Sequence, residues 1–372
     1  MSCPSGLLQH GQHFWTELRA VKQSANELPF SWYPFESLSA LPLVAELLDP
    51  ASAEVSQAIA SHPVADIGCA DGDFSLLMAR LGADVDAIDF APNNYNRMQA
   101  VEWLSREMGL PVHIHSLDLD RNPTLPREHY GLTLFLGTLY HLKNPYLVLE
   151  SLAYRTEWCL LSTRIAQVTA NRNIRMEEEP LAYLVSGREL ANDATNYWIF
   201  SACGLLRILQ RTRWAIAGLR RVGCSQDSNP LAGDADERMF LLLKSRVFYP
   251  QLQAQRLDGW YAPEDNERCW TTKRFSLGVT LPLERPIGGF MFRAYAPGGM
   301  TLECCIGGEP IHSETYETPG DFTFRSPLPP YAAHEPILKL DFSVESTFAA
   351  PGDTRELGIC VPLGPRIPFE VW

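Results

Sequence analysis

Apolar residues in the first two thirds of the chain follow two alternating patterns, continuous runs and runs that recur every three or four positions. Short continuous runs are typical of buried parallel strands, and the wider spacing is typical of helices that bury one face. This alternation predicts a doubly wound, Rossmann-like α/β sheet. The predicted strands are 64–67, 85–89, 112–115, 132–136 and 159–161, with helices between them such as 97–108 and 146–153.

Two further features complete this region. Residues 1–60 are predicted to form a helical N-terminal cap, because apolar residues between positions 41 and 48 have the spacing of one helix face. Residues 61–245 are predicted to form the α/β domain itself. Its last two strands, 214–222 and 238–243, are joined by a loop rich in Gly, Ser, Asn and Asp, which is typical of an antiparallel pair.

The pattern changes after Ser245, where 15 of the 28 prolines lie. Apolar and polar residues now alternate one by one, as in 275–281 and 338–344. This period of two, interrupted by Pro and Gly turns, predicts an all-β sandwich of jelly-roll type. We assign the sandwich to residues 255–372 and place the domain boundary between Ser245 and Gln255.

The first predicted strand runs into a glycine-bearing turn, which is a feature of nucleotide-cofactor sites. Gly68 and Gly72 allow the backbone to turn sharply into the helix that starts near Phe74. The next strand ends at Asp89, about 20 residues on, where a carboxylate commonly binds ribose hydroxyls. The order of strand, glycine turn, helix, strand and acid therefore predicts a cofactor site, and a chance glycine turn in an α/β domain is the alternative.

The turn differs from the fingerprint of nicotinamide and flavin enzymes, because Ala70 and Asp73 stand where that fingerprint has glycines. Asp66, Asp71 and Asp73 would repel a pyrophosphate and favour a cationic cofactor. Ala70 is expected to fit the tight turn with a negative φ.

The composition fits a soluble protein of two domains. Of 372 residues, 46% are hydrophobic, and no apolar run approaches the ~20 residues that cross a bilayer. The polar N-terminus is unlike a signal peptide, and the nine cysteines include no C-x-x-C pair. These features predict a cytoplasmic protein with reduced thiols. No metal site is expected, since His113 and His115 lack further recognisable ligands.

The net charge of −13 disfavours nucleic acid as a partner, because that kind of binding depends on clustered Lys and Arg. A local basic patch is the alternative. Its candidates are Arg207, Arg211, Arg213, Arg220 and Arg221. We favour a solvated helix face followed by a strand for this segment.

Four motifs occur in the order found in the class I S-adenosylmethionine-dependent methyltransferases. They are the turn at 66–72, Asp89, Ser-Leu-Asp-Leu-Asp at 116–120 and Leu-Phe-Leu-Gly-Thr-Leu-Tyr-His-Leu-Lys-Asn-Pro at 134–145. The last motif resembles the wobble-uridine tRNA methyltransferase-like branch of that class, and the similarity covers about residues 28–245. This resemblance implies a seven-stranded sheet with a reversed last strand and S-adenosylmethionine as cofactor.

The resemblance also implies the cofactor contacts, which are Asp66, Gly68, Gly72, Asp89, Asp118 and Leu136. The two glycines would lie against the methionine portion, with Asp66 near its ammonium group. Asp89 would hold the ribose, Asp118 would accept from the adenine amino group, and Leu136 closes the fourth predicted strand. All lie at carboxyl ends of predicted strands, where open α/β sheets bind ligands.

His141 and Tyr140 are the catalytic candidates. Aligning the acceptor with a sulfonium methyl group supplies much of the acceleration, so a base is needed only if the acceptor loses a proton. His141 is suited to that task because its unperturbed pKa lies near neutrality. The alternative is that His141 caps a turn or orients Tyr140.

Tyr197, Trp198 and Arg238 are the candidates for substrate binding, together with Asn196, although aromatic residues there could equally belong to the core. In the tRNA branch that uses a carboxylated cofactor, a tyrosine, an arginine and a lysine hold the extra carboxylate. Tyr140 and Arg238 match the first two, whereas the segment 28–35 offers no cation. Ordinary methyl transfer is therefore favoured.

Three hypotheses follow. The first is a methyltransferase that modifies an oxygen or nitrogen atom of a small molecule or glycan. Trp260, Tyr261 and Trp270 of the sandwich could stack on sugars if they are exposed, although tryptophans in a sandwich are more often core or interface anchors. The second is a tRNA wobble-uridine modifying methyltransferase. The third is a non-catalytic binding protein whose sandwich is the functional module.

Overall fold

The computed structural model describes residues 6–371, apart from 224–225, 232, 234–235, 249–253, 265–267, 281–287, 330–331, 333–336, 351 and 363–368. The chain divides into two units, Met1–Phe248 and Tyr249–Trp372. Part of the predicted boundary segment, 249–253, lies outside the described residues.

The first unit alternates helices and strands. Its helices are α1 (Leu7–Ser24), α2 (Leu41–Leu48), α3 (Ser52–Ser61), α4 (Asp73–Arg80), α5 (Gln99–Glu107), α6 (Pro145–Arg155) and α7 (Ala202–Arg211). Its strands are β1 (Val64–Ile67), β2 (Val85–Asp89), β3 (His113–Ser116), β4 (Tyr130–Leu136), β5 (Thr156–Ile165), β6 (Ala182–Leu184), β7 (Trp198–Phe200), β8 (Trp214–Gly223) and β9 (Glu237–Ser245). Three short 3₁₀ turns occupy Ser37–Ala40, Asp49–Ala51 and Leu139–His141.

These nine strands form one mixed sheet in the described part of the chain. β3, β2, β1, β4 and β5 pair in parallel, and β9 joins β5 antiparallel and pairs with β8 on its other side. The Rossmann-like fold and the reversed last strand are therefore confirmed. The sheet has more than the seven strands expected, because the short pair β6 and β7 attaches to the carboxyl end of β5 through Ile165 and Phe200.

The strand β5 is much longer than the predicted 159–161. It continues through Ser162, Thr163 and Arg164, which are polar in sequence and buried in the structure. Their backbones pair with β9, so the ladder overrides the polar pattern. His113 and His115 on β3 lie beside Asp84 and Asp86, with Nε2 to carboxylate distances of 3.2 and 3.4 Å.

The helices before β1 share a hydrophobic core with the sheet. Phe14 and Leu18 of α1 and Val44 of α2 belong to the same buried cluster as Leu132 and Leu160 of the sheet. In the described residues, no helix combines the length and apolar character that crossing a membrane requires.

The second unit contains strands only, within the residues that are described. They are β10 (Ala254–Arg256), β11 (Arg268–Trp270), β12 (Arg274–Thr280), β13 (Gly289–Ala296), β14 (Met300–Ile306), β15 (Glu309–Tyr316), β16 (Gly320–Pro327), β17 (Ile337–Val344), β18 (Cys360–Pro362) and β19 (Phe369–Val371). One sheet has the order β10-β12-β17-β14-β15, and the other has β11-β18-β13-β16 with β19 beside β13. Buried residues of both sheets, such as Phe275 and Phe292, form one cluster, whereas the jelly-roll arrangement stays a prediction.

The three aromatic residues expected to be exposed for sugar stacking are all partly buried. The Trp260 indole donates to the carbonyl of Ser276 at 2.9 Å, and its ring lies 5.2 Å from that of Phe275. The Tyr261 hydroxyl donates to a backbone carbonyl at 3.0 Å. These contacts within their own unit favour the role of core or interface anchors over sugar stacking.

Gly131 tests the contact between α3 and the sheet. A Cβ atom at this position would lie 2.2 Å from the carbonyl oxygen of Ala58, which belongs to the backbone and cannot rotate away. Gly131→Ala should lower the free energy of unfolding by about 1–3 kcal/mol, measured by denaturant titration. Gly187→Ala is the control, because nothing lies within 4 Å of its added methyl group; equal stability of the two variants would contradict this packing.

Candidate active site

The turn between β1 and α4 has a left-handed backbone. Gly68 has φ +72° and Gly72 has φ +85°, which glycine adopts without steric cost. Neither position has room for a side chain. A Cβ atom at Gly68 would lie 2.0 Å from Thr138 Oγ1, and one at Gly72 would lie 2.4 Å from Val101 Cγ2.

Ala70 also lies in the left-handed region, with φ +52°. The expectation of a negative φ is therefore wrong. Hydrogen bonds on both sides hold this conformation: the Ala70 amide donates to Asp89 Oδ2 at 3.1 Å, and its carbonyl accepts from Asn94 Nδ2 at 3.2 Å. Because a left-handed alanine costs about 1–2 kcal/mol, these contacts fix a strained residue in the middle of the turn.

Asp89 ends β2 beside this turn. Its Oδ1 accepts from the Phe90 amide at 2.7 Å, and its Oδ2 accepts from Ala70 and from Asn94 Nδ2, the latter at 2.8 Å. A carboxylate offers about four acceptor positions, so partly exposed Asp89 keeps capacity for a hydroxyl of a ligand. The Leu117 amide donates to the Asp89 carbonyl at 2.8 Å. This bond places the next residue, Asp118, near Asp89.

Asp118 follows β3 in a loop, and its side chain is 26% exposed. Its Oδ1 accepts from the Asp120 amide at 3.2 Å, and Oδ2 lies 3.3 Å from Arg121 Nε. Asp120 holds the loop in place by accepting from the amides of Lys143 and Asn144, both at 2.8 Å. The Asp118 carboxylate is therefore positioned at the carboxyl edge of the sheet with further capacity to accept.

Asp66 lies at the centre of the site and is only 4% exposed. Ser75 donates to its Oδ2 at 2.6 Å. Burial raises the pKa of Asp66 to about 7, and the nearby Asp89 charge acts in the same direction. A cation next to Asp66 would favour its ionised form, which is the electrostatic demand of an ammonium group.

Asp71 and Asp73 have a different role from the one expected. Lys22 of α1 bridges them, with Nζ 2.9 Å from Asp71 Oδ2 and 2.7 Å from Asp73 Oδ1. Asp71 also accepts from the Tyr33 amide at 3.1 Å and from Asn96 Nδ2 at 2.7 Å. The two carboxylates therefore attach the N-terminal helices to the turn. Lys22 balances their negative charge, which was expected to favour a cationic cofactor.

Tyr33 is a site residue that the sequence analysis missed. Burial raises its pKa to about 12, and the Tyr140, Arg238 and Asp89 side chains act on it electrostatically. Its ring lies 6.2 Å from that of Tyr95. The aromatic stretch 30–35 is the signal in the sequence that could have identified it.

The end of β4 carries the catalytic candidates. Leu136 is partly buried, and its carbonyl accepts from Thr138 Oγ1 at 3.3 Å. Thr138 Oγ1 also lies 3.2 Å from the Ile67 carbonyl at the end of β1. Gly137, with φ +72°, then turns the chain into the 3₁₀ turn of Tyr140 and His141.

His141 is held by residues of a loop that comes more than fifty positions later. Its Nδ1 lies 3.1 Å from the carbonyl oxygen of Thr195 and 3.0 Å from Thr195 Oγ1. The Thr195 hydroxyl donates its own hydrogen to Asp193 Oδ1 at 2.7 Å, so both Thr195 oxygens can only accept from Nδ1. Nδ1 therefore carries the hydrogen, and Nε2 of the neutral ring is unprotonated.

Burial lowers the pKa of His141 below its ordinary value, partly offset by the Thr195 contact. The neutral ring is thus the form present at pH 7. It packs against Tyr140 with ring centroids 4.3 Å apart. This arrangement can accept a proton at Nε2, and it also orients Tyr140, so the two readings of His141 are compatible.

Burial lowers the pKa of Arg238 on β9, and the nearby Tyr140 and Asp236 side chains outweigh this effect and raise it. Arg238 Nε lies 3.0 Å from Asp236 Oδ2, and Arg164 Nε lies 3.0 Å from the other oxygen of the same carboxylate. The Tyr140 hydroxyl and Arg238 Nη1 lie 3.8 and 3.9 Å from the space where a Gly137 side chain would stand. The structure thus brings Tyr140, His141 and Arg238 together at the end of β4.

The remaining candidates for substrate binding, Tyr197, Trp198 and Asn196, do not share one location or role. The Tyr197 amide donates to the Tyr140 carbonyl at 2.8 Å, which puts Tyr197 beside the catalytic turn. The Trp198 indole instead donates to the Lys143 carbonyl at 3.2 Å. Asn196 is 4% exposed and donates to the carbonyls of Leu190 and Asp193, so its side chain is structural.

A family model described as a methyltransferase domain matches residues 40–216. No curated protein matches the chain in sequence. Among solved structures, the N-terminal domain of EvdMO1 with SAH bound is 15% identical, with a TM-score of 0.41, covering 62% of this chain and 96% of that chain. The [4+2]-cyclase SpnF is 14% identical, with a TM-score of 0.37, and the match covers 65% of this chain and 96% of SpnF.

An S-adenosylmethionine-dependent methyltransferase from Clostridium acetobutylicum is 11% identical, with a TM-score of 0.35, covering 56% of this chain and 99% of that chain. The three TM-scores describe similarity of shape between parts of the chains. The residue roles derived above come from this chain's own contacts.

Asp66 makes binding of a cationic cofactor depend on pH. Because the raised pKa is about 7, the carboxyl group must lose a proton on binding below that pH, whereas it is already ionised above it. The affinity for S-adenosylmethionine should rise by up to about tenfold per pH unit below pH 7 and level off above pH 8, as measured by calorimetry.

Asp66→Asn is the matched variant, since it keeps the shape of the side chain and cannot titrate. Its affinity should be weaker and should vary less with pH. A wild-type affinity that is constant between pH 5.5 and 8.5 would contradict the role given to Asp66.

Proposed function

We propose that the protein is an S-adenosylmethionine-dependent enzyme that methylates an oxygen or nitrogen atom of a small-molecule acceptor; a methyltransferase family model matches residues 40–216. The observation that supports this most strongly is the fixed tautomer of His141. Oxygen and nitrogen acceptors carry a hydrogen that must leave when the methyl group arrives. An unprotonated Nε2 is suited to take it.

The chain offers residues that fit the cofactor. We propose that Gly68 and Gly72 bring bare backbone against its methionine portion and that ionised Asp66 faces the ammonium group. Asp89 and Asp118, each with acceptor capacity left, would hold the ribose and the adenine amino group, and Leu136 would border the adenosine. When bound, S-adenosylmethionine supplies an electrophilic methyl group.

The chain's own residues then act on the acceptor. Tyr140, Arg238 and Tyr197 would orient it beside His141, with Arg238 held in place by Asp236. His141 Nε2 would accept the proton that the acceptor oxygen or nitrogen loses on methylation, while the methyl–sulfur bond of the cofactor would break and S-adenosylhomocysteine would leave. Tyr33 and the N-terminal segment that carries it would exclude water from this step.

The carboxylated cofactor of the tRNA branch has little support. Lys22 is near the turn, but its ammonium already pairs with Asp71 and Asp73. The acidic balance of the chain also weighs against tRNA as acceptor. Glycan remains a second candidate acceptor, without the support expected from exposed Trp260 and Trp270.

We also propose a reducing compartment such as the cytoplasm. Each of the seven cysteines that the structure describes is free, and Cys69 in the cofactor turn is buried. Burial raises the pKa of the Cys69 thiol, which disfavours its thiolate form.

The test is a screen of small-molecule hydroxyl and amine acceptors that follows release of S-adenosylhomocysteine. With an acceptor in hand and S-adenosylmethionine saturating at every pH, kcat/KM for the acceptor should rise with pH through a pKa below about 6.5 and stay level near neutrality, because the neutral His141 ring is the active form. His141→Gln should lower kcat by about 10²–10⁴-fold while cofactor affinity is kept.

Two variants serve as controls. Thr195→Val removes the hydroxyl that accepts from Nδ1, so it should lower kcat less than His141→Gln. His10→Gln, on the exposed side of α1, should have no effect. Full activity of His141→Gln would contradict the proposed base, and activity only on tRNA would favour the second hypothesis.

A further inference from the structure

A polar cleft lies between α6 and α7 and shares no residue with the cofactor or catalytic set. Its volume is about 610 Å³. The residues that line it are Tyr146, Glu150, Arg207, Gln210, Arg211 and Arg213. We call it the arginine cleft. Its size is in the range of about 300–1,000 Å³ that holds small molecules.

The arginine cleft concentrates positive charge in a chain whose net charge is −13. Three arginines and one acidic residue, Glu150, line it. Arg207 and Arg211 make no ion pair within the residues that the structure describes. The other two arginines of the basic patch behave differently, since Arg220 pairs with Glu46 at 2.6 Å and Arg221 with Glu237 at 2.7 Å.

Helix spacing and hydrogen bonds hold the residues that line the arginine cleft in place. Arg207 and Arg211 stand four residues apart on α7, so they lie on one face of the helix. The Tyr146 hydroxyl donates to the Arg211 carbonyl at 3.5 Å, which links α6 to α7. The Arg246 amide donates to the Arg213 carbonyl at 2.9 Å, and Trp214 Nε1 donates to the Leu149 carbonyl of α6 at 3.0 Å.

The helix dipole explains only part of this charge. A cation in the last turn of a helix is stabilised by the helix carbonyls, and this accounts for Arg211. Arg207 lies one turn earlier, and Arg213 lies beyond the helix end. An anionic ligand would complement the charge of Arg207 and Arg211, which have no ion-pair partner among the described residues.

We propose that the arginine cleft binds a small ligand that carries phosphate. The planar guanidinium group forms paired hydrogen bonds with phosphate oxygens, and two such groups, those of Arg207 and Arg211, can neutralise more than one negative charge. The Tyr146 side chain, 40% exposed at the rim, provides a surface for a ring attached to that phosphate. Nucleic acid is disfavoured, because it needs a long basic track and the chain is acidic overall.

The experiment titrates the full chain with pyrophosphate and with adenosine diphosphate by calorimetry. Saturating S-adenosylhomocysteine is present throughout, so that adenosine diphosphate cannot occupy the adenosine position of the cofactor site. Both probes should bind with one site per chain. The double variant Arg207→Gln and Arg211→Gln should bind both probes at least about tenfold more weakly than the wild type. Tyr146→Ala should weaken the binding of adenosine diphosphate more than the binding of pyrophosphate.

Arg106→Gln is the matched control. Arg106 is an exposed arginine on α5, and among the described residues its side chain hydrogen bonds only to the Glu102 carbonyl, at 3.3 Å; glutamine keeps helix propensity at positions 106, 207 and 211. The control should bind both probes like the wild type. Failure of both probes to saturate, or equal loss in Arg106→Gln, would overturn the proposal.

Arginine-dependent binding to phosphatidylserine vesicles without binding of pyrophosphate would also overturn it, in favour of a membrane contact. None of these results depends on methyl transfer. The outcome is therefore separate from that of the proposed function.

Discussion

The left-handed turn between β1 and α4 is the constraint on which the rest of the site depends. Because Gly68 has no side chain, Thr138 can approach it to a distance that a Cβ atom would block. Thr138 opens the loop that carries Tyr140 and His141, so the cofactor turn and the catalytic turn are fitted to each other. Gly72 allows the same close approach by Val101 of α5. A bulkier residue at either glycine would displace a neighbouring element along with the turn.

Charge is distributed over the site by burial and pairing. Lys22 neutralises Asp71 and Asp73 and joins the N-terminal helices to the turn. Asp66 is left with a hydroxyl partner and a raised pKa, so it is the carboxylate that gains most from a cation. The acids that were counted together in the sequence thus have two physical roles, attachment of the helices and recognition of charge.

Local patterns predicted the elements well, and they predicted contacts between distant residues poorly. The run 64–67 is β1, and Gly68, Gly72 and Asp89 meet because parallel strands end at one edge of the sheet. The Lys22 pairs and the Thr195 bond to His141 join residues about fifty positions apart, and nothing local in the sequence marks them. Ala70 has a left-handed conformation that glycine adopts more readily, which could be seen only once its hydrogen bonds were known.

The most direct measurement is the calorimetric affinity for S-adenosylmethionine of the wild type, Asp89→Ala and Asp84→Ala. Asp89 lies at the cofactor end of β2, whereas Asp84 precedes that strand, is 53% exposed and pairs with Arg127. The account predicts a dissociation constant of about micromolar order for the wild type and Asp84→Ala, and a loss of at least about tenfold in Asp89→Ala. Equal affinities in all three proteins, or no binding to the wild type, would contradict the assignment of this turn as the cofactor site.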